Sequence, residues 1–232
     1  MKSTLDTNVF LYSTITKSCS DLIKVHYHFS KYNIILKSVS KETRPKLLDL
    51  FSFFQVFLSE IGKTKKSLVK LLDSDFYAYR RKKYPQIFDV LKNHIIKNKL
   101  EAKDKIKHFE RDIQIIINDI NFLIKLLSSQ KISFPTTTSD FNKILVSKQY
   151  INCWNKLNNN IKIKKSDQQH LCLCNQYLKV NMKNKDQLSF ITLDEKDFIK
   201  NKNLIEKIVS GLIIKEVEGC DIRNIKDPKL SI

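Results

Sequence analysis

Short apolar runs alternate with amphipathic stretches at the beginning of the chain. The run Ser3–Asp6 predicts a strand, Ser20–Tyr32 predicts a helix, and the apolar residues of Asn33–Lys37 predict a buried strand. Ser40 can cap a further helix, which the pattern places over about Lys41–Glu60. Strand, helix, strand and helix in this order indicate an α/β fold.

The same alternation returns after residue 140. The predicted elements are an amphipathic helix over Asp140–Leu157, a helix over Ser166–Lys179 that begins with a capping box of Ser166 and Gln169, a strand over Leu188–Leu193, a helix over Glu195–Ser210 closed by Gly211, and a strand over Leu212–Val217. We therefore expect residues 1–58 and 140–218 to form one three-layer α/β/α domain around a central parallel sheet, followed by a tail over 219–232.

The pattern in the middle of the chain, residues 59–139, predicts a long helical insertion. Seven apolar residues follow one another in steps of three and four: Ile106, Phe109, Ile113, Ile116, Ile120, Leu123 and Leu127. This heptad seam predicts a coiled-coil-like helix. A helix over Pro85–Ser128, with a break around Asn98–Lys99, would span on the order of 60 Å.

A seam of this length needs a partner surface. A helix at Lys65–Leu72 or a second copy of the chain could supply it, or the insertion could be a hairpin that packs only on itself. We predict a linker back to the α/β domain over Ser133–Ser139, because this segment contains Pro and several hydroxyl residues.

The net charge of the chain indicates which class of partner it binds. Its 42 basic and 24 acidic residues give a net charge of +18, which favours binding of polyanions such as nucleic acids. The five cysteines show no metal-binding or redox spacing, and Cys172 and Cys174 read as buried apolar residues. No signal peptide or membrane-spanning run is seen, so we expect a cytoplasmic protein without a membrane partner.

A basic stretch with interleaved aromatic residues stands out within the insertion. Its candidate nucleic-acid-binding residues are Tyr79, Arg80, Arg81, Lys82 and Lys83. Such a stretch can stack bases and bind phosphates, and it can equally be the solvated tip of a hairpin.

Four carboxylates lie where predicted strands end or the following helices begin. Asp6 and Asp194 end strands, whereas Asp167 and Glu42 fall in first helical turns. The helix dipole alone explains an acid in a first turn, but it does not explain the two at strand ends. Carboxyl ends of parallel strands share one edge, so these four groups should converge, and their repulsion calls for a hard divalent cation such as Mg²⁺ or Mn²⁺.

Four segments in succession resemble the motifs of the PIN-domain family. In Leu5–Leu11 an aspartate is followed by Thr-Asn and an apolar run, and in Ser38–Glu42 a serine precedes a glutamate on a helix. In Ser166–Leu173 an aspartate opens an apolar helix, and in Phe190–Phe198 a threonine stands two residues before an aspartate, with Asp-Phe after it. The resemblance covers residues 1–58 and 140–218 and leaves the insertion outside.

This resemblance implies a metal-dependent ribonuclease that cleaves single-stranded RNA with Mg²⁺ or Mn²⁺. By motif, the metal ligands and catalytic residues would be Asp6, Glu42, Asp167 and Asp194, with supporting roles for Asn8, Thr192 and Asp197. One or two ions can activate a water for attack on phosphorus. Many PIN domains are toxins with an antitoxin partner, but compact toxins lack so long an insertion.

The sequence is compatible with two other functions. The chain could be a catalytically weak PIN scaffold whose heptad helix pairs with itself, as a homodimer, or with a partner protein. It could also be a DNA-directed or structure-specific nuclease, because no base-reading module separates RNA from DNA in the sequence.

Overall fold

A computed structural model of the chain describes residues 2–28, 33–63, 67–100, 103–129, 133–181 and 186–217. Within them the protein is α/β and mostly helical, with a small parallel sheet. The strands are β1 (Lys2–Leu5), β2 (Ile35–Leu36), β3 (Ser133–Phe134), β4 (Leu188–Thr192) and β5 (Leu212–Glu216). The α-helices are α1 (Thr7–Tyr12), α2 (Lys17–His28), α3 (Lys37–Ile61), α4 (Leu68–Leu72), α5 (Ala78–Lys83), α6 (Pro85–Asn98), α7 (Lys103–Leu127), α8 (Thr138–Leu145), α9 (Lys148–Asn160), α10 (Lys165–Asn181) and α11 (Lys202–Ile208).

Parallel strands run through the middle of the fold. β4 lies between β1 and β5, and β2 pairs with β3. A parallel bridge between Ser3 and Asn33, with the Ile34 amide donating to the Ser3 carbonyl at 3.1 Å, places the β2–β3 pair beside β1. The spatial order is therefore β3-β2-β1-β4-β5, which confirms the predicted α/β class and is compatible with three layers.

The strand order reverses next to β1. The chain proceeds from β1 to β2 and β3 on one side, then returns to place β4 and β5 on the other. In open parallel sheets, ligands bind outside the carboxyl ends of the strands at such a switch point. Asp6 follows β1 directly, and its amide continues the ladder to Ile191 of β4 at 2.9 Å. The carboxyl ends of β1 and β4 therefore define the edge at which a site is expected.

Helix α3 begins earlier than the sequence predicts. β2 runs straight into the helix at Lys37, with Leu36 in the cap position, so the predicted Asn33–Lys37 strand is shorter and Ser40 is not the cap. Ser40 instead donates its hydroxyl to the Leu127 carbonyl at the end of α7, at 2.7 Å. Because the helix starts at Lys37, Glu42 lies in its second turn and not in its first.

The heptad seam is covered by α3. Ile113, Ile120 and the seam residues between them are fully or almost fully buried, and α7 makes its most extensive packing with α3. The predicted partner helix α4 packs on α6 instead, and no second copy is needed to cover the seam. Buried aromatic side chains on α3 and on neighbouring elements pack against one another in the same core. They are Phe53, Phe54, Phe57, Tyr77, Phe88 and Phe109.

The predicted break between α6 and α7 is confirmed. α6 ends at Asn98, and Lys99 follows in the left-handed conformation with φ 50°. The Leu100 amide then donates to the Ile95 carbonyl at 3.1 Å, which closes the helix end. A single 60 Å rod over Pro85–Ser128 is therefore wrong, because the chain turns at Lys99 and folds α7 back onto α3.

The left-handed residue at this helix end predicts a simple stabilising substitution. Lys99→Gly should raise the free energy of unfolding by about 0.5–1 kcal/mol, because glycine adopts positive φ without the steric penalty of a side chain. Urea denaturation followed by circular dichroism measures the change. The control Lys97→Gly, in the last turn of α6, should lower stability by up to about 1 kcal/mol. A destabilised Lys99→Gly protein would contradict the assigned helix end.

Several predicted elements are divided in the structure. The helix predicted over Asp140–Leu157 is two helices, α8 and α9. Ser147 lies between them and caps α9, because its hydroxyl accepts a hydrogen bond from the Tyr150 amide. The Ser133–Ser139 linker contains β3, which pairs with β2. The helix over Glu195–Ser210 is a π-helical turn, Glu195–Ile199, followed by α11.

Two predicted helix caps are also replaced. Val209 is the C-cap of α11, and Gly211 lies beyond it with φ 87°, where an added Cβ would meet Leu178 at 3.3 Å. Helix α10 begins at Lys165, so Ser166 and Gln169 lie inside it and do not form the capping box.

Other predictions fall partly or wholly outside the described residues. α2 begins at Lys17, and residues 29–32 of the predicted helix are not among those described, nor is the tail over 219–232. Cys172 and Cys174 are buried, as predicted. Within the described ranges, no helix combines the length and the apolar character that crossing a membrane requires.

Candidate metal centre

Three carboxylates meet at the carboxyl edge of the sheet. Asp167 lies in the first turn of α10, Asp194 follows β4, and Asp197 lies in the π-helical turn after it. One oxygen from each lies within 4.8 Å of the others. The Asp197 backbone amide donates to Asp194 Oδ1 at 2.8 Å, so the turn itself fixes the Asp194 side chain. We call these three residues the aspartate cluster.

Asp6 stands behind the aspartate cluster and is joined to it by Thr192. The Thr192 hydroxyl donates to Asp6 Oδ2 at 2.8 Å and accepts from the Asp194 amide at 2.9 Å. The Thr7 amide donates to Asp6 Oδ1 at 2.7 Å, so both carboxylate oxygens have partners. Asp6 is only 2% exposed, and burial raises its pKa. It therefore acts on the site through Thr192 and through its charge.

Glu42 is held by a hydrogen-bonded chain through a buried histidine. His170 Nδ1 lies 2.7 Å from the Ser38 hydroxyl, and its Nε2 lies 3.1 Å from Glu42 Oε2. Lys46 donates to Glu42 Oε1 at 2.6 Å. Burial acts to raise the pKa of Glu42, but the hydrogen bonds from His170 and Lys46 prevail and lower it to about 2. Glu42 is therefore a fixed anion at neutral pH.

Asp167 has the most perturbed surroundings in the aspartate cluster. It is 8% exposed, its Oδ1 accepts from Ser166 at 3.4 Å, and its buried Oδ2 has no hydrogen-bond partner. Burial, and next the negative charge of Asp6, raise the pKa of Asp167 to about 7. A buried carboxylate oxygen without a donor is costly, so this group gains most from an added cation.

Lys164 supplies the positive charge nearest to the aspartate cluster. Its ammonium lies 3.8 Å from Asp194 Oδ2 and 3.6 Å from Asp197 Oδ2. The side chain is 69% exposed, and ion pairs of this kind contribute little in water. Lys164 can therefore leave when a stronger cation arrives.

The aspartate cluster fits a hard divalent cation. Mg²⁺ and Mn²⁺ prefer carboxylate oxygens, and two ligands on opposite sides of Mg²⁺ stand about 4.2 Å apart. Adjacent ligands of the same ion stand about 3.0 Å apart, so three oxygens that lie within 4.8 Å of one another must draw together to hold one ion. The unpartnered Asp167 oxygen and the exposed Lys164 leave the donors free to make that adjustment.

The structure thus distributes the predicted site residues over two shells. Asp167, Asp194 and the supporting residue Asp197 form the aspartate cluster, while Asp6 and Glu42 are not part of it and act on Asp167 through their charges. Thr192 links Asp6 to Asp194, as a positioning residue would. Asn8 lies partly exposed on α1, next to the buried Thr7.

The basic stretch on α5 is largely engaged within the chain. Arg80 Nε and Lys83 Nζ both bind Asp49, at 3.0 and 2.8 Å. Arg81 donates to the Leu72 carbonyl at 2.8 Å and closes the end of α4. These three cations fasten α5 to α3 and α4, which makes them poor candidates for nucleic-acid contact.

The remaining two residues of the stretch are exposed. Tyr79 is 70% exposed, with Lys83 over its ring at 5.5 Å, and Lys82 forms no ion pair among the described residues. Nucleic-acid binding at α5 remains a prediction that rests on these two side chains alone.

His170 and Lys164 are the site residues that the sequence alone did not assign. His170 lies three residues, about one helical turn, after Asp167, which places both on one face of α10. Its partners Ser38 and Glu42 are four residues apart on α3, a spacing that also shares one face. Lys164 carried no signal beyond standing just before α10.

The fold and the site together define an α/β protein with an acidic cluster at the switch point of a parallel sheet. Comparison of the chain with family models, with curated proteins and with solved structures gave no match in any of the three.

The raised pKa of Asp167 predicts a pH-dependent metal affinity. Without metal, Asp167 is half protonated near pH 7, whereas a cation binds its ionised form. The Kd for Mn²⁺ should therefore rise up to about tenfold as the pH falls from 7 to 6, and change little above pH 8. Isothermal titration calorimetry at pH 6, 7 and 8 measures this dependence, and a Kd independent of pH would contradict it.

Proposed function

We propose that the protein is a metal-dependent nuclease that hydrolyses phosphodiester bonds in single-stranded RNA, built on a PIN-like domain. The observation that carries the proposal is the aspartate cluster, which includes one buried, unpartnered carboxylate oxygen at the switch point of the sheet. The net charge of +18 supports a polyanionic substrate, since an acidic site alone would repel phosphates. The four PIN-like motifs supply the reaction class.

The residues of the site divide into ligands and supports. Asp167, Asp194 and Asp197 would hold Mg²⁺ or Mn²⁺, because their oxygens are the closest set at the edge. When bound, such an ion activates water and neutralises charge on the phosphate oxygens. Thr192 fixes the Asp194 backbone and the Asp6 carboxylate together, so the ligand geometry is set before substrate arrives.

Glu42 and His170 would order the side of the site next to α3. Glu42 is ionised and held from both sides, so it can accept a hydrogen bond from a water or from a substrate hydroxyl. His170 is 1% exposed and is therefore shielded from substrate, which makes it a positioning residue for Glu42. Asp6 adds a negative charge that strengthens cation binding by the neighbouring Asp167.

The competing function as a protein-interaction scaffold needs a free heptad surface. Ile113 and Ile120 lie at 0% exposure against α3, so that surface is used within the chain. Cleavage of DNA, or of branched structures, needs the same chemistry. Comparison of the cleavage of several nucleic-acid substrates distinguishes these activities from cleavage of single-stranded RNA.

The test is cleavage of labelled single-stranded RNA, single-stranded DNA and duplex RNA with 1–5 mM Mn²⁺ or Mg²⁺ (about the working range of weak divalent sites). Wild type is compared with Asp194→Asn and with the surface variant Asp89→Asn, an exposed carboxylate on α6. We expect metal-dependent cleavage of single-stranded RNA by wild type and Asp89→Asn only. No cleavage by any of them, together with no metal binding by calorimetry, would refute the proposal.

A further inference from the structure

A groove of about 400 Å³ lies along the first turns of α3, beside the end of α7. Its charged lining residues are Lys37, Lys41 and Arg44, and no acidic residue among those that the structure describes lines it. Their spacing of four and three residues places them on one face of α3, over about 10 Å of helix. The groove therefore presents three positive charges in a row.

These three cations differ from those of α5, because no acidic residue in the described part of the chain pairs with them. Arg80 and Lys83 are neutralised by Asp49, whereas none of Lys37, Lys41 and Arg44 forms an ion pair with any residue that the structure describes. Lys41 lies over the Phe141 ring at 4.1 Å, a contact that brings no negative charge to it. Unpaired cations that line one groove raise the local potential where an anion can bind.

The hydroxyl groups of the groove are directed away from an incoming ligand. Ser40 donates to the Leu127 carbonyl at 2.7 Å, Ser128 to Ile124 at 2.8 Å, and Ser133 to Ser129 at 2.6 Å. Each hydroxyl satisfies a carbonyl near the end of α7. Recognition in the groove is thus left to its lysine and arginine side chains, which suit the phosphates of a nucleic-acid backbone.

The groove adjoins the candidate metal centre across α3. Lys37 and Lys41 are the chain neighbours of Ser38 and Glu42, which contact His170 at the site. One residue along a helix turns the side chain by about 100°, so the basic row and the Glu42 face are adjacent faces of the same two turns. A strand bound at the site can continue over α3 into the groove.

We propose that Lys37, Lys41 and Arg44 form the backbone-binding path for the single-stranded nucleic acid that reaches the aspartate cluster. The substrate named here rests on the proposed function. Binding through the groove needs no metal, and three phosphate contacts at about 0.7 each contribute about 2 to the salt slope of a single strand. At 0.1 M salt, losing them lowers affinity on the order of 100-fold.

The test is fluorescence anisotropy of a labelled 20-nucleotide single-stranded RNA in EDTA, from 50 to 400 mM salt (a range chosen to resolve the slope). The variant is Lys37→Gln/Lys41→Gln/Arg44→Gln. The matched control is Lys97→Gln/Lys107→Gln/Arg111→Gln, which removes the same charges on α6 and the first half of α7. Residues 107 and 111 lie 20 and 16 positions from the groove residue Leu127, about 24–30 Å along the helix.

We expect the groove variant to lose about 2 from the salt slope and the control to lose clearly less. Lys37→Arg/Lys41→Arg, which keeps the charge, should bind like wild type and shows whether a change in local packing is responsible. Equal losses in the groove variant and the control would overturn the proposal, as would competition by poly-glutamate as strong as that by unlabelled RNA, which would indicate an acidic protein partner.

Failure of this inference can be told apart from failure of the proposed function. If wild type cleaves RNA and the groove variant binds like the control, the groove is refuted and the nuclease stands. If neither wild type nor any variant cleaves RNA, but only the groove variant loses salt dependence of RNA binding, the groove is a nucleic-acid site and the nuclease proposal fails.

Discussion

Asp167→Asn is expected to raise the stability of the metal-free protein at pH 8 and to abolish its activity. The pKa of Asp167 is raised to about 7 in the folded protein, above its ordinary value of 3.8, so its ionised form destabilises the fold. The folded state is therefore penalised as the pH rises from about 4 to 7. Removing the charge should raise the Tm at pH 8 by about 2–4 °C, the shift that about 1 kcal/mol produces at this size.

Added Mn²⁺ should reverse this ranking. A ligand that binds only the folded state at 100 times its Kd stabilises by about 2.7 kcal/mol, so wild type should gain about 5–10 °C and the variant much less. Cleavage by the variant should fall by more than about 100-fold, since even the outer partners of a metal ligand are worth 10- to 100-fold.

The measurement is differential scanning fluorimetry at pH 5 and pH 8, with Mn²⁺ and with EDTA. At pH 5 the stabilising effect of Asp167→Asn should be clearly smaller than at pH 8, and it should disappear only below about pH 4, where Asp167 is protonated in the unfolded chain as well. Asp89→Asn, which removes an exposed charge, should change neither Tm nor activity. A variant that is less stable than wild type in EDTA at pH 8 would show that Asp167 is a structural carboxylate and not a site for a cation.

Ile120→Asp is the second change with a large expected effect, and it should prevent folding. Ile120 is fully buried where α7 packs on α3. The substitution removes about 1.5–3 kcal/mol of apolar burial and places a carboxylate in the core at a further cost of several kcal/mol. Total stabilities are only about 5–15 kcal/mol, so the cooperative thermal transition should be lost or its midpoint should fall below room temperature.

Ile115→Asp is the matched control on the same helix. Ile115 is 49% exposed, so the same substitution there should cost less than about 1 kcal/mol. Circular dichroism and size-exclusion chromatography of both variants separate the two roles of the seam. A folded Ile120→Asp protein that merely changes from dimer to monomer would show that the seam is an interface between chains, as the scaffold hypothesis requires.

The sequence by itself determined the features that depend on neighbours within a few residues. Alternating apolar runs gave the α/β class and the positions of β1, β4 and β5 to within one residue at each end. The break before Lys99 was visible in the lost periodicity. Asp6 and Asp194 were identified because acids that end apolar strands have no local explanation. These signals persist in the fold because strand and helix periods are properties of the local backbone.

Helix boundaries were less predictable where a distant contact competes with a local cap. Ser40 has the side chain of an N-cap, but it bonds to Leu127, which is 87 residues away in the chain. Ser166 likewise lies inside α10. A cap contributes only about 1 kcal/mol, so the burial of a whole helix turn can outweigh it.

Only the tertiary structure decided which chemical groups meet. It places His170 between Ser38 and Glu42, which are more than 120 residues away in the chain. It brings Asp197 beside Asp167 and pairs Arg80 and Lys83 with Asp49. It also leaves Lys37, Lys41 and Arg44 in a groove without an ion-pair partner among the described residues. Charge on a residue is a property of the sequence, but whether that charge is neutralised, buried or free depends on separations of a few ångströms that only packing sets.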